Sequence, residues 1–73
     1  MKITGKYKVD QNFISIYTNN AVYDIARKTR EWGCLKVGER AACGIIYDQE
    51  THERYMNECT KEGTFDLEKG EFV

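Results

Sequence analysis

Residues 19–33, "NNAVYDIARKTREWG", decide the fold class, because they separate an N-terminal pair of strand-like segments from an apolar run at 41–47. Asn20 suits the N-cap of a helix, and Gly33 suits the position that follows a last helical turn. The apolar stripe has the three- and four-residue spacing of an amphipathic helix and consists of Val22, Ile25, Ala26, Thr29 and Trp32. The stretch therefore predicts the first of two helices.

The residues before this stretch predict a β-hairpin. Residues 2–9, "KITGKYKV", alternate between apolar and polar side chains, as a half-buried strand does. "DQN" at 10–12 is typical of a short turn, because Asp and Asn tolerate left-handed backbone. Residues 13–18, "FISIYT", then form the partner strand, with Ile14 and Ile16 inward.

Two further strands are predicted after the first helix. Leu35 and Val37 begin the third strand, and "GER" at 38–40 turns the chain. "AACGIIY" at 41–47 is a continuous apolar run without a charge, which is typical of a central strand covered on both faces.

Residues 48–59, "DQETHERYMNEC", predict the second helix, with Asp48 as its N-cap. Its inward stripe consists of His52, Tyr55, Met56 and Cys59. After Gly63, "TFDLE" predicts a last strand that directs Phe65 and Leu67 inward.

The predicted order is β-β-α-β-β-α-β in one α+β domain that spans residues 1–73. It is a ferredoxin-like, or split βαβ, variant with an extra N-terminal strand and two helices on one face of an antiparallel-rich sheet. We expect the last strand to pair outside residues 2–9. Its acidic residues Asp66 and Glu68 would then neighbour Lys6 and Lys8.

Charge is distributed unevenly along the chain. Residues 1–47 carry eight Lys and Arg against four Asp and Glu, whereas residues 48–73 carry three against eight. The basic half either neutralises the acidic half in the fold or forms a binding face for nucleic acid or an acidic partner. The opposite charges expected on adjacent strands favour neutralisation.

Catalytic and metal-binding chemistry has little support. Cys34, Cys43, His52 and Cys59 are separated by nine, nine and seven residues, unlike the close ligand pairs of structural zinc sites. Phosphate-loop, nucleophile-elbow, zinc-protease and dinucleotide-binding motifs are absent. We therefore expect no catalytic residue, metal ligand or cofactor, with His52 at the core boundary, bonded at one nitrogen and wet at the other.

The chain also lacks an apolar run of roughly the 20 residues that a membrane span requires, and its first ten residues do not resemble a secretory signal. The three cysteines are an odd number, unlike the even frameworks of small secreted domains. These features predict a cytoplasmic protein that makes no membrane contact.

A small, proline-free, motif-less domain is expected to work through its surface. In size and style the chain is similar to the small proteins with which phages and mobile elements block host or defence machinery, anti-CRISPR proteins among them. We expect a non-catalytic binding protein with a protein partner, acting as such an inhibitor. A homodimer is left open.

The alternative is a small nucleic-acid-binding domain that uses the basic half. Aromatic side chains on an open sheet face flanked by cations can stack on bases. The candidate binding residues are Lys2, Lys6, Lys8, Phe13, Tyr17, Arg27, Lys28 and Arg30. An enzyme that uses Cys and His chemistry ranks third.

Overall fold

One antiparallel sheet of six strands, crossed by one helix, makes up the structure, a computed structural model that describes residues 1–73. Its elements are β1 (Lys2–Val9), β2 (Phe13–Tyr17), β3 (Ala21–Ala26), β4 (Trp32–Lys36), α1 (Gln49–Glu58), β5 (Lys61–Asp66) and β6 (Glu71–Phe72). The strand order is β4-β3-β2-β1-β5-β6. The predicted ferredoxin-like α+β fold with two helices is therefore wrong.

The error lies in residues 19–33, which form a β-hairpin instead of a helix. β3 pairs with β2 on one side and with β4 on the other. Val22 and Ile25 point to opposite faces of the sheet, and both are buried. A strand covered on both faces loses the simple alternation of apolar and polar residues, so its apolar positions also fit a helical stripe.

Residues 41–47 are the second correction, because they form a loop and not a central strand. Gly44 has a φ of +90°, which turns the chain back so that the Ala41 N–H donates to the Ile45 carbonyl at 2.9 Å. Only one isolated β-bridge, between Arg40 and Ile46, remains of the predicted pairing. A residue with a side chain would strain this left-handed position, whereas glycine adopts it freely.

The other predicted elements are present, but the third strand begins at Trp32 instead of Leu35, and the last strand spans residues 61–66 instead of 64–68. β1 and β2 form the N-terminal hairpin, and Asp48 caps α1 by accepting from the Thr51 N–H at 2.8 Å. β5 pairs with β1 on its free side, where the last strand was expected. The short strand β6, which pairs with the end of β5, was not predicted.

The sheet coils around its inner face, which holds the first of two cores. Ile3, Ile16, Ile25 and Phe65 are buried there. The β3–β4 turn and the β5–β6 turn lie at diagonal corners of the sheet. They meet where Arg30 packs on Gly70 and donates to the Lys69 carbonyl at 3.4 Å. The coiling therefore encloses a core that no second layer covers.

The opposite face of the sheet, which we call the helix face, is covered by α1 and by the loop that precedes it. Tyr17, Val22, Tyr47 and Cys59 are buried in this second core. Leu35, Val37 and Met56 pack around them and are partly buried. The helix and the loop therefore pack together on two neighbouring strands, β2 and β3.

Gly5 allows the backbone of β1 to approach the backbone of β2 closely. A Cβ at this position would collide with the backbone carbonyl oxygen of Tyr17. Because that oxygen belongs to the neighbouring strand, a side chain at position 5 would force β1 and β2 apart. Gly33 is the contrasting case, since a Cβ there meets nothing within 4 Å.

We predict that Gly5→Ala lowers the free energy of unfolding by about 1–3 kcal/mol, the usual cost of overpacking. Gly33→Ala is the matched control, and it should leave the stability unchanged or raise it slightly, because alanine restricts the unfolded chain. Urea unfolding followed by circular dichroism measures both. Equal effects of the two substitutions would contradict the close approach at Gly5.

Candidate functional site

His52 fastens α1 to the rest of the protein. Its side chain is fully buried, at 0% exposure. Nδ1 lies 2.7 Å from the Tyr47 hydroxyl, and Nε2 lies 2.7 Å from the Thr18 carbonyl oxygen. The prediction of a boundary histidine with one wet nitrogen is therefore wrong: both nitrogens are bonded inside the protein.

The partners of His52 determine its neutral tautomer. A carbonyl oxygen only accepts hydrogen bonds, so Nε2 carries the proton and donates to Thr18. Nδ1 then accepts from the hydroxyl of Tyr47. This chain of bonds links the β2–β3 turn, the helix and the loop before it, and it leaves no buried side-chain polar atom without a partner. The role that the structure supports for His52 is structural.

The surface beside this anchor is apolar. Ile45 is 70% exposed and Ile46 is 53% exposed. The neighbouring helix residue Tyr55 was predicted to face inward, but it is 39% exposed. We call these three residues the isoleucine patch. They border a shallow groove of about 200 Å³, which is also lined by Ala41, Cys43, Tyr47 and Thr51.

The loop that carries the patch, residues 37–48, is held by hydrogen bonds at both ends. The Gly38 N–H donates to the Tyr47 carbonyl at 2.7 Å, and the Tyr47 N–H donates to the Glu39 carbonyl at 2.9 Å. At the tip, the Arg40 guanidinium donates to the Gly44 carbonyl at 2.7 Å. Binding would therefore require little further ordering of the backbone.

Positive side chains border the isoleucine patch. The Lys8 ammonium lies 5.6 Å from the centre of the Tyr55 ring, and the Arg54 guanidinium lies 5.7 Å from it. Arg40 forms the bridge to Ile46. The groove itself contains no charged residue. The isoleucine patch is therefore an apolar surface with a basic rim.

The basic and aromatic residues proposed for nucleic-acid binding do not form one surface. Phe13 is exposed, but Tyr17 lies under α1, with its ring centre 6.5 Å from that of Tyr55. Arg27 donates to the Asp10 carbonyl at the hairpin turn, and Arg30 reaches the β5–β6 turn. Lys28 is exposed in the β3–β4 turn, and Lys2, Lys6 and Lys8 are spread along β1.

Ion pairing between the two halves of the chain is weaker than the sequence suggests. The expectation that Lys6 and Lys8 neighbour Asp66 and Glu68 is wrong, because in the β1–β5 register Lys2 lies opposite Asp66 and Lys6 lies opposite Glu62. The one ion pair within 4 Å joins the N-terminal ammonium to Glu68 at 3.4 Å. Asp66 instead accepts from the backbone N–H groups of Glu68 and Lys69, which lowers the pKa of its carboxyl group.

The three cysteines are separated by the fold. Cys34 lies exposed on β4, Cys43 is exposed in the loop, and Cys59 is buried beneath the end of α1. Burial raises the pKa of the Cys59 thiol above its usual value. His, Cys, Asp and Glu side chains do not come together in any group of three or more that could hold a metal ion.

A second hollow, of about 350 Å³, opens on the helix face beside β1. It is lined by Thr4, Gly5, Lys6, Tyr17, Thr18, Asn19, Met56 and Glu62. Five of its eight lining residues are polar, and its two charged residues, Lys6 and Glu62, are cross-strand partners.

Comparison of the chain with protein families, with curated proteins and with solved structures gives no match. The only helix, α1, has ten residues and is too short and too polar to cross a bilayer.

We predict that Tyr47→Phe lowers the free energy of unfolding by about 1–3 kcal/mol, because it leaves the buried Nδ1 of His52 without a donor. Tyr55→Phe removes the same atom from an exposed ring and should change stability by less than about 0.5 kcal/mol. Urea unfolding of both variants tests the anchor. Similar values for the two would mean that the bond between Tyr47 and His52 contributes nothing.

We predict that alkaline pH unfolds the core beneath α1, which contains Tyr17 and Tyr47. Burial raises the pKa of Tyr47 to about 12 and raises that of Tyr17 further, whereas an unfolded tyrosine has a pKa near 10. The fold thus favours the neutral phenols, and this stabilisation is complete below pH 10 and lost as the pH rises through about 12. Ionisation of these tyrosines, followed by ultraviolet absorbance, should coincide with the loss of circular dichroism. Full ionisation of all five tyrosines by about pH 11 with the fold intact would contradict the burial.

Proposed function

We propose that this chain is a non-catalytic binding protein and that the isoleucine patch is its contact surface for another protein. One observation carries the proposal: two adjacent isoleucines are exposed on a loop whose backbone is fixed by hydrogen bonds. Scattered exposed apolar residues are ordinary, but a contiguous apolar surface beside a groove commonly marks an interaction site. Ile45 and Ile46 contribute little to the core, and both are available to a partner.

The chemistry of the patch indicates the kind of partner. The groove accepts an apolar side chain, and Tyr55 adds an aromatic surface of the type enriched in protein interfaces. Lys8, Arg40 and Arg54 at the rim favour carboxylates around that side chain. We therefore propose a folded protein partner that presents an apolar residue surrounded by Asp or Glu.

Nucleic-acid binding has less support as an alternative. It would rest on exposed Phe13 and on the few cations near it at the β1–β2 turn, because Tyr17 is buried under α1 and Arg30 reaches the β5–β6 turn. The acidic residues of 48–73 would also repel a polyanion. Action as a phage or mobile-element inhibitor and location in the cytoplasm stay predictions from the sequence.

The test begins with capture of partners on the tagged protein and continues with the purified partner, because capture alone does not locate the contact. Ile45→Glu should weaken the reconstituted complex by about tenfold or more, since it puts a charge into the centre of an apolar interface. Isothermal titration calorimetry measures the affinity. Unchanged affinity for Ile45→Glu would exclude the isoleucine patch as the contact surface.

The matched control is Val73→Glu, the same kind of change at an exposed apolar residue that is outside the patch. It should leave the affinity within about twofold of that of the unmodified chain. Thermal unfolding of both variants verifies that each is folded. Binding of unrelated oligonucleotides at micromolar affinity, with a steep salt dependence, would favour the nucleic-acid alternative instead.

A further inference from the structure

The outer edge of β4 carries backbone groups that the fold leaves unpaired. The Ala26 N–H donates to the Glu31 carbonyl, and the Val37 N–H donates to the Asn20 carbonyl. In an antiparallel ladder such bonded residues alternate, so residues 31, 33, 35 and 37 face β3. The N–H and C=O groups of Trp32, Cys34 and Lys36 consequently point away from the sheet.

One end of this edge is already closed. The Lys36 N–H donates to the Glu39 carboxylate at 2.8 Å, and the Lys36 carbonyl accepts from the Glu39 N–H at 3.0 Å. At the other end, Arg30 has a φ of +63° and turns the chain out of the strand. Four groups therefore remain free: the N–H and C=O of Trp32 and of Cys34. The opposite edge of the sheet, β6, is only two residues long.

We propose that β4 pairs with β4 of a second copy of this chain, antiparallel, about a two-fold axis at Gly33. In that register Trp32 of each copy faces Cys34 of the other, and each of the two pairs exchanges two backbone hydrogen bonds. All four unpaired backbone groups of each copy then form a hydrogen bond across the interface. A register centred on Cys34 would instead require the Lys36 groups that Glu39 occupies.

Gly33 supports the same arrangement. A Cβ at this position meets nothing within 4 Å, and its φ is not in the left-handed region, so the isolated fold gives no reason for a glycine. Glycine inside a strand costs stability and often marks the close approach of another backbone. In the proposed dimer, the two Gly33 residues face each other as a non-hydrogen-bonded pair, in which the Cα atoms approach to about 4.5 Å.

The side chains of the edge fit this contact. Trp32 is 46% exposed and stands on the inner-face side of β4, with its ring 6.0 Å from that of Tyr23. In the dimer it lies diagonally across from Trp32 and from Lys36 of the second copy. Aromatic rings reach across such diagonals, and a lysine ammonium is attracted to an indole face. The edge contact is separate from the isoleucine patch and does not rest on its function.

The test uses charge at the two-fold axis. Gly33→Lys and Gly33→Glu each place like charges directly opposite one another, which should weaken self-association by up to about fivefold. An equimolar mixture of the two variants pairs opposite charges and should restore association to the unmodified level or above it. Sedimentation equilibrium up to about 1 mM protein covers the range of weak, small interfaces. Asn57→Lys, which adds the same charge on the exposed face of α1, is the control and should self-associate like the unmodified chain.

A cross-link tests the register. Exposed Cys43 is first replaced by Ser in both chains compared. Gly33→Cys in a Cys34→Ser, Cys43→Ser background should then form a disulfide-linked dimer on mild oxidation, because the expected Cα separation lies within disulfide range. Cys34 in the Cys43→Ser chain should not cross-link to its counterpart, since the two are offset along the strands. Amide spectra of each variant verify the monomer fold. A chain that stays monomeric at about 1 mM, or a Lys and Glu mixture that associates no better than either variant, would overturn the dimer.

Discussion

The burial of β2 and β3 on both faces is the constraint on which the rest of the structure depends. Ile16 and Ile25 lie in the core of the coiled sheet, while Tyr17 and Val22 lie beneath the helix. Only 12 of the 73 residues are buried, so neither core is large. A domain this small has little surplus stability, and each core therefore needs the other to hold the two shared strands.

The same constraint explains which parts of the fold were predictable. The helix at 49–58 has a capping residue and a solvent-exposed outer face, so the helical spacing of its apolar residues is visible in the sequence. β1 was predictable because apolar and polar side chains alternate along it. Residues 19–33 were not, because a doubly buried strand and an amphipathic helix place apolar residues at overlapping positions. Pairing with strands on both sides, which no local pattern records, decided between them.

The candidate site was predictable only in part. The apolar composition of residues 41–47 suggested burial, whereas the structure exposes Ile45 and Ile46 on a loop. Gly44 within that run was the available signal, since an isolated glycine in an apolar segment often marks a bend. For His52, the sequence indicated an inward position, but neither hydrogen-bond partner could be inferred. Thr18 lies 34 residues away in the β2–β3 turn, and Tyr47, five residues away, was assigned to a strand instead of a loop.

The order of the strands has a consequence for how the chain folds. β1 to β4 form a meander of short hairpins, whose contacts are local and quick to form. β5 must instead return across the loop and the helix to pair with β1, and Lys2 meets Asp66 only at the far end of the chain. Closing so long a segment is slow, and until it occurs β1 presents a bare edge to other chains. During synthesis, protection of that edge therefore waits for residues 61–66 to leave the ribosome.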